Sequence, residues 1–126
     1  MRLTRRRLSV LVVDDEREIR TLLTDILEGA GHEVACAPDA ATAASLVADP
    51  GRHFDLAFVD YLLPGEDGIA LISRLRSLRP ELPAVLLTGD TGLTGAGVSA
   101  AGGPIGLITK PFGLFIVEDL LARMSN

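Results

Sequence analysis

Residues 54–68 read Phe-Asp-Leu-Ala-Phe-Val-Asp-Tyr-Leu-Leu-Pro-Gly-Glu-Asp-Gly. Within them, 56–59 is an apolar run too short for a helix and suited to a strand buried on both faces. Asp60 follows at once, and a carboxylate at the end of a buried strand is costly unless something pairs with it. Pro64, Gly65 and Gly68 then break the chain into a turn. Asp60 is therefore expected on a rigid strand end beneath a loop, where an α/β protein places a site. Taken alone, the pattern fits equally well an Asp that ends a strand and caps a turn.

The same pattern recurs on either side. Residues 8–13 form a second apolar run and end in Asp14-Asp15-Glu16. Residues 84–87 end in Thr88, and 105–108 end in Thr109-Lys110-Pro111. Glu33 to Ala37 is a shorter, weaker strand. Between these runs apolar residues return at helical spacing: Ile19, Leu22, Leu23, Ile26 and Leu27, then an alanine-rich stretch from Ala40 to Ala48 with Asp39 as its N-cap. Ile69, Leu71, Ile72, Leu75 and Leu78 follow, with Arg74, Arg76 and Arg79 expected on the wet side, and Leu114 to Met124 is the last helix. Strands alternating with helices predict a doubly wound α/β fold whose five-stranded parallel sheet carries helices on both faces. The segment 89–103 is rich in glycine, so a short or irregular helix is expected near 94–101.

Length and composition limit the function classes. A chain of 126 residues, 48% hydrophobic and 23% charged, has enough apolar sequence for one core. The net charge of −5 argues against general nucleic-acid binding, and the run Arg5-Arg6-Arg7 reads as a solvated arm over 1–7. One cysteine, Cys36, excludes an internal disulfide and fits a reducing compartment. No signal peptide is apparent, and the uncharged stretch 91–109 is too glycine-rich for a membrane span. His32 and His53 show no partner pattern and are expected at the surface.

In a doubly wound sheet the strand ends share one edge, beside the crevice where ligands bind. Asp14, Asp15, Asp60, Thr88 and Lys110 are thus predicted to meet. Clustered carboxylates repel and call for a cation, and an oxygen-only set with few acids suits Mg²⁺ better than Zn²⁺. An ammonium and a hydroxyl opposite them would hold an anion, which points to phosphate. Lys110 is the only lysine against eleven arginines, so the chain departs from its usual cation at this one strand end, where a compact point charge suits a tight phosphate site.

This ordered set resembles the two-component response regulator receiver domain over 8–124. It comprises the acidic pair, Asp60 with Leu63-Pro64 and Asp67-Gly68, Thr88-Gly89, and Lys110-Pro111-Phe112. The resemblance implies a flavodoxin-like strand order of 2-1-3-4-5. It implies Asp60 as phosphoacceptor, taking a phosphoryl group from a phosphohistidine. Asp15 and Asp60 would ligate Mg²⁺ (or Mn²⁺), with Asp14 acting through water and the Leu62 carbonyl as a further ligand. Thr88 and Lys110 would bind phosphoryl oxygens, and the Lys110–Pro111 peptide would be cis. Leu62 and Asp90 would flank the path of the hydrolytic water. Leu107 stands where the family often has a switching aromatic.

The implied partners are a sensor histidine kinase or histidine phosphotransfer protein and a downstream target, with no direct nucleic acid contact and no membrane insertion. The implied setting is cytoplasmic, without an output domain and without enzymatic activity beyond self-phosphorylation and self-dephosphorylation. Two rivals remain: a receiver acting by phosphorylation-independent protein contact, and an aspartyl-phosphate phosphatase. The phosphatase would need a second acid two residues after its nucleophile, where this chain has Leu62.

Overall fold

The apolar runs form one parallel sheet in the computed structural model of the chain, which describes residues 7–89, 106–110 and 112–124. The elements in order are β1 (Ser9–Val13), α1 (Arg17–Gly29), β2 (Glu33–Ala37), α2 (Ala40–Ala48), β3 (Leu56–Asp60), β4 (Leu62–Leu63), β5 (Glu66–Asp67), α3 (Gly68–Leu78), β6 (Ala84–Thr88), β7 (Gly106–Thr109) and α4 (Leu114–Met124). The sheet runs β2-β1-β3-β6-β7 with every pair parallel. Setting aside the two short hairpin strands, this is the expected order 2-1-3-4-5. Asp90, Pro111, the expected helix near 94–101 and all of the basic arm except Arg7 lie outside the described residues.

Successive side chains of a strand point to opposite faces, so each central strand feeds two cores. Leu11, Val13, Ala57, Val59 and Leu86 pack with Ala43 and Val47 of α2 and Leu71, Ile72 and Leu75 of α3. Val10, Val12, Leu56, Phe58, Val85 and Leu87 pack with Leu23 and Leu27 of α1 and Val117 and Leu121 of α4. Both faces are covered, which is why β3 and β6 are apolar without alternation. Among the described residues, no helix is long and apolar enough to cross a membrane.

Several local details differ from expectation. The last strand is described over Gly106–Thr109 and so takes in Thr109, while Ile105, where it was expected to begin, lies outside the described residues. Asp39 caps α2 as expected, accepting the Thr42 N–H at 2.8 Å, and Asp67 caps α3 in the same way through Ala70. The arginines of α3 are not simply solvated. Arg79 donates to the carbonyls of Val47, Asp49 and Arg52 and so closes the C-terminal end of α2. Arg76 binds the Leu82 carbonyl, and Arg74 reaches Glu66 and the Ala40 carbonyl. His32 is buried, and its Nδ1 accepts the N–H of the buried Leu8 at 2.9 Å, an acceptor that this residue just before β1 needs. His53 does lie exposed, with Nε2 2.9 Å from Asp55 Oδ1.

Candidate functional site

Register alone places the acids side by side. Val13 pairs with Val59, so Asp14 and Asp60 stand abreast one residue further on. Asp60 pairs with Leu87 and Thr88 with Thr109, which sets Thr88 and then Lys110 along the same edge. Backbone bonds hold each position: Asp14 N–H donates to the Ala37 carbonyl, Tyr61 N–H to Leu87, and Lys110 N–H to Thr88 at 2.7 Å.

The loop after Asp60 is tighter than expected. Leu62–Leu63 and Glu66–Asp67 form a small antiparallel hairpin. Pro64 fixes its own φ, and Gly65 takes φ +76°, the pattern of a type II turn. Gly68 N–H then bonds the Tyr61 carbonyl at 2.7 Å. A Cβ on Gly68 would stand 2.2 Å from the Asp60 carbonyl oxygen, so α3 can start this close to β3 only with glycine there.

Asp14, Asp60 and Thr88 are buried, whereas Asp15 is exposed. Carboxylate oxygens of Asp14, Asp15 and Asp60 lie within 4.8 Å of one another. Lys110 Nζ stands 3.0 Å from Asp14 Oδ2, 3.2 Å from Glu16 Oε1 and 3.3 Å from Asp60 Oδ1. Asp14 Oδ1 accepts the Glu16 N–H, and Arg20 reaches back to the Asp14 carbonyl, each at 2.8 Å. The Asp60 carboxylate also accepts the Leu62 N–H. Burial, and then the neighbouring Asp14 charge, push Asp60 up to about 6 against the opposing pull of Lys110. Burial pulls Lys110 down, but Asp14, Asp60 and Glu16 together outweigh it, and the ammonium is held above its ordinary range.

The structure therefore gathers Asp14, Asp15, Asp60 and Lys110 in one cluster, with Thr88 at the adjacent strand end. The donor set fits a hard divalent cation: oxygen ligands only, and more negative charge than one ammonium offsets. The Leu62 side chain is 70% exposed beside this cluster. Leu107 is half-buried and packs on the α2 and α3 side of the core. Glu16 was visible only as the third acid of its run, and nothing local in the sequence marked it as a partner of Lys110. The close approach at Gly68 was likewise signalled only by a glycine at a helix start.

Residues 10–123 match the family model of the response regulator receiver domain. The chain is 36% identical over 118 residues to the DNA-binding transcriptional regulator NtrC of Azospirillum brasilense, covering 94% of this chain and 24% of that protein. It is 38% identical over 117 residues to the virulence transcriptional regulatory protein PhoP of Salmonella typhimurium, covering 92% of this chain and 50% of that one. It thus spans from about a quarter to half of the length of these relatives. Among solved structures, the chemotaxis protein CheY4 of Vibrio cholerae superposes with a TM-score of 0.84 at 27% identity, covering 94% of this chain and 99% of the other. NtrX from Brucella abortus gives 0.81 at 35% identity, covering 95% and 28%.

Proposed function

The chain belongs to the response regulator receiver domain family, and from that premise we propose that it accepts a phosphoryl group on Asp60 from a phosphohistidine of a sensor kinase or phosphotransfer protein. The observation that carries this reading is the buried Asp60 carboxylate, held by the sole lysine and grouped with Asp14 and Asp15.

The step follows from the groups present. Above a pH of about 6 the Asp60 carboxylate is an anion at a rigid strand end. One of its oxygens attacks phosphorus as the P–N bond breaks, and the electron pair leaves on the imidazole nitrogen. The second ring nitrogen of the donor phosphohistidine carries a proton, so the ring departs as neutral imidazole, and Asp60 attacks as the anion with no proton drawn from this chain. Lys110 offsets charge on one phosphoryl oxygen, and the Thr88 hydroxyl donates to another. Asp15 and Asp60 would hold Mg²⁺, with Asp14 through water and the Leu62 carbonyl as a further ligand. Once bound, the ion supplies neutralisation of the clustered acids and of the incoming phosphoryl group. The product acyl phosphate changes the charge at one sheet edge, and a downstream protein reads the resulting shift between two states.

The proposed setting is the cytoplasm, with no direct nucleic acid contact by this domain and no catalysis beyond its own phosphorylation and dephosphorylation. The phosphatase rival is disfavoured because the exposed Leu62 offers no proton to a leaving group. The test is phosphotransfer from a panel of autophosphorylated histidine kinases and phosphotransfer proteins. Rapid labelling by at least one donor is the expected result. Failure with every donor, in a protein that binds some of them, would favour phosphorylation-independent contact.

A further inference from the structure

The Lys110 ammonium is crowded by carboxylates. Of its three N–H groups, one donates to Asp14 at 3.0 Å and one to Glu16 at 3.2 Å, and Nζ forms an ion pair with Asp60 at 3.3 Å. A phosphoryl oxygen on Asp60 therefore competes with Asp14 and Glu16 for the ammonium.

The three are not equally easy to release. Asp14 is fully buried, and without the ammonium its charge would keep only the Glu16 N–H as a partner among the described residues. Asp60 is the nucleophile and stays beside Nζ as the new bond forms. The Glu16 side chain is 58% exposed and can return to water. Glu16 also occupies the N-cap position of α1 without a side-chain cap bond, so its carboxylate has the first-turn N–H groups as an alternative partner.

We propose that Glu16 is the displaceable partner of Lys110: it holds the ammonium at the sheet edge in the resting protein and yields its N–H to the phosphoryl oxygen on transfer. Glu16 is thus a positioning residue acting through Lys110, and this role rests on Asp60 being the phosphoacceptor. An ion pair present in the ground state and absent from the transition state slows the step. Removing a partly exposed pair of this kind should speed phosphorylation about two- to fivefold.

Two variants separate direct pairing from charge. Glu16→Gln removes the charge, whereas Glu16→Asp keeps it but is one methylene too short to hold Nζ. Phosphorylation by acetyl phosphate is followed by intact mass at saturating Mg²⁺. Because Lys110 is the only lysine, its side-chain ¹³C and ¹⁵N signals need no assignment, and they are compared in resting and beryllofluoride-bound protein. Both variants are expected to react faster than wild type and to shift the Lys110 signals at rest, while all three proteins coincide with beryllofluoride bound. Unchanged or slower rates overturn the proposal. So does an Asp variant at the wild-type rate beside a faster Gln variant, which would make Glu16 a long-range charge only. An equal signal difference in both states overturns it as well. A wild-type protein that takes up no phosphoryl group defeats the phosphoacceptor reading of Asp60, and this proposal with it.

Discussion

Neutralising Asp60 should stabilise the resting protein, although it removes the proposed nucleophile. The carboxyl stands at about 6 in the folded chain against 3.8 when unfolded, so the fold penalises its charge. Below pH 3.8 both states are protonated and there is no penalty. As pH rises through about 6, the folded protein must ionise a buried acid beside Asp14, and stability is lost. The gap between 3.8 and about 6, at about 1.36 kcal/mol per pH unit, sets a ceiling of about 3 kcal/mol. Solvent at the sheet edge and the broken ion pair with Lys110 reduce the net gain of Asp60→Asn to about 1–2 kcal/mol, or roughly 3–8 °C in Tm. The assay is thermal unfolding by circular dichroism between pH 4.5 and 8 with chelator present. The variant's advantage should grow with pH and level off above about pH 7. Added Mg²⁺ should close the gap by stabilising wild type, because an amide is a poorer ligand than a carboxylate. A variant no more stable than wild type at pH 7.5 without Mg²⁺, or an advantage independent of pH, would refute the reasoning.

Three further outcomes follow from single residues. Gly68→Ala should cost about 2–4 kcal/mol in denaturant unfolding and slow phosphorylation, since its Cβ collides with the Asp60 carbonyl 2.2 Å away. Arg79→Ala should cost about 1–2 kcal/mol by the same measurement and leave the phosphorylation rate unchanged, because its guanidinium serves the carbonyls at the end of α2, away from the acidic edge. Leu62→Asn should speed loss of the phosphoryl group about tenfold in excess Mg²⁺ with donor removed, because the exposed leucine at the mouth gives a hydrolytic water no hydrogen bond; decay at the wild-type rate would remove Leu62 as the gate.

The sheet and its edge were legible because both rest on short-range pattern. A strand buried on two faces must be an apolar run, and the polar residue that ends it is visible at once. Asp14, Asp60, Thr88 and Lys110 were readable on this basis, and register then put them side by side. What escaped depends on pairings distant in sequence or on very short elements. Glu16 meets Lys110 across 94 residues, and only the folded edge brings them together. The hairpin of Leu62–Leu63 and Glu66–Asp67 has strands too short to show any period. His32 sits between a glycine and a glutamate and reads as a surface residue, yet the Leu8 N–H draws it inside. The α3 arginines show helical polarity correctly, but the carbonyls they serve belong to other segments.

The proposed role of Asp60 as phosphoacceptor is tested most directly by intact mass. Wild type and Asp60→Asn are incubated with acetyl phosphate and Mg²⁺, and their intact masses are compared with those of chelator controls. One added phosphoryl group is expected on wild type only, dependent on the divalent ion and mapped to Asp60. Equal labelling of Asp60→Asn, or no labelling of wild type by any donor, would contradict it.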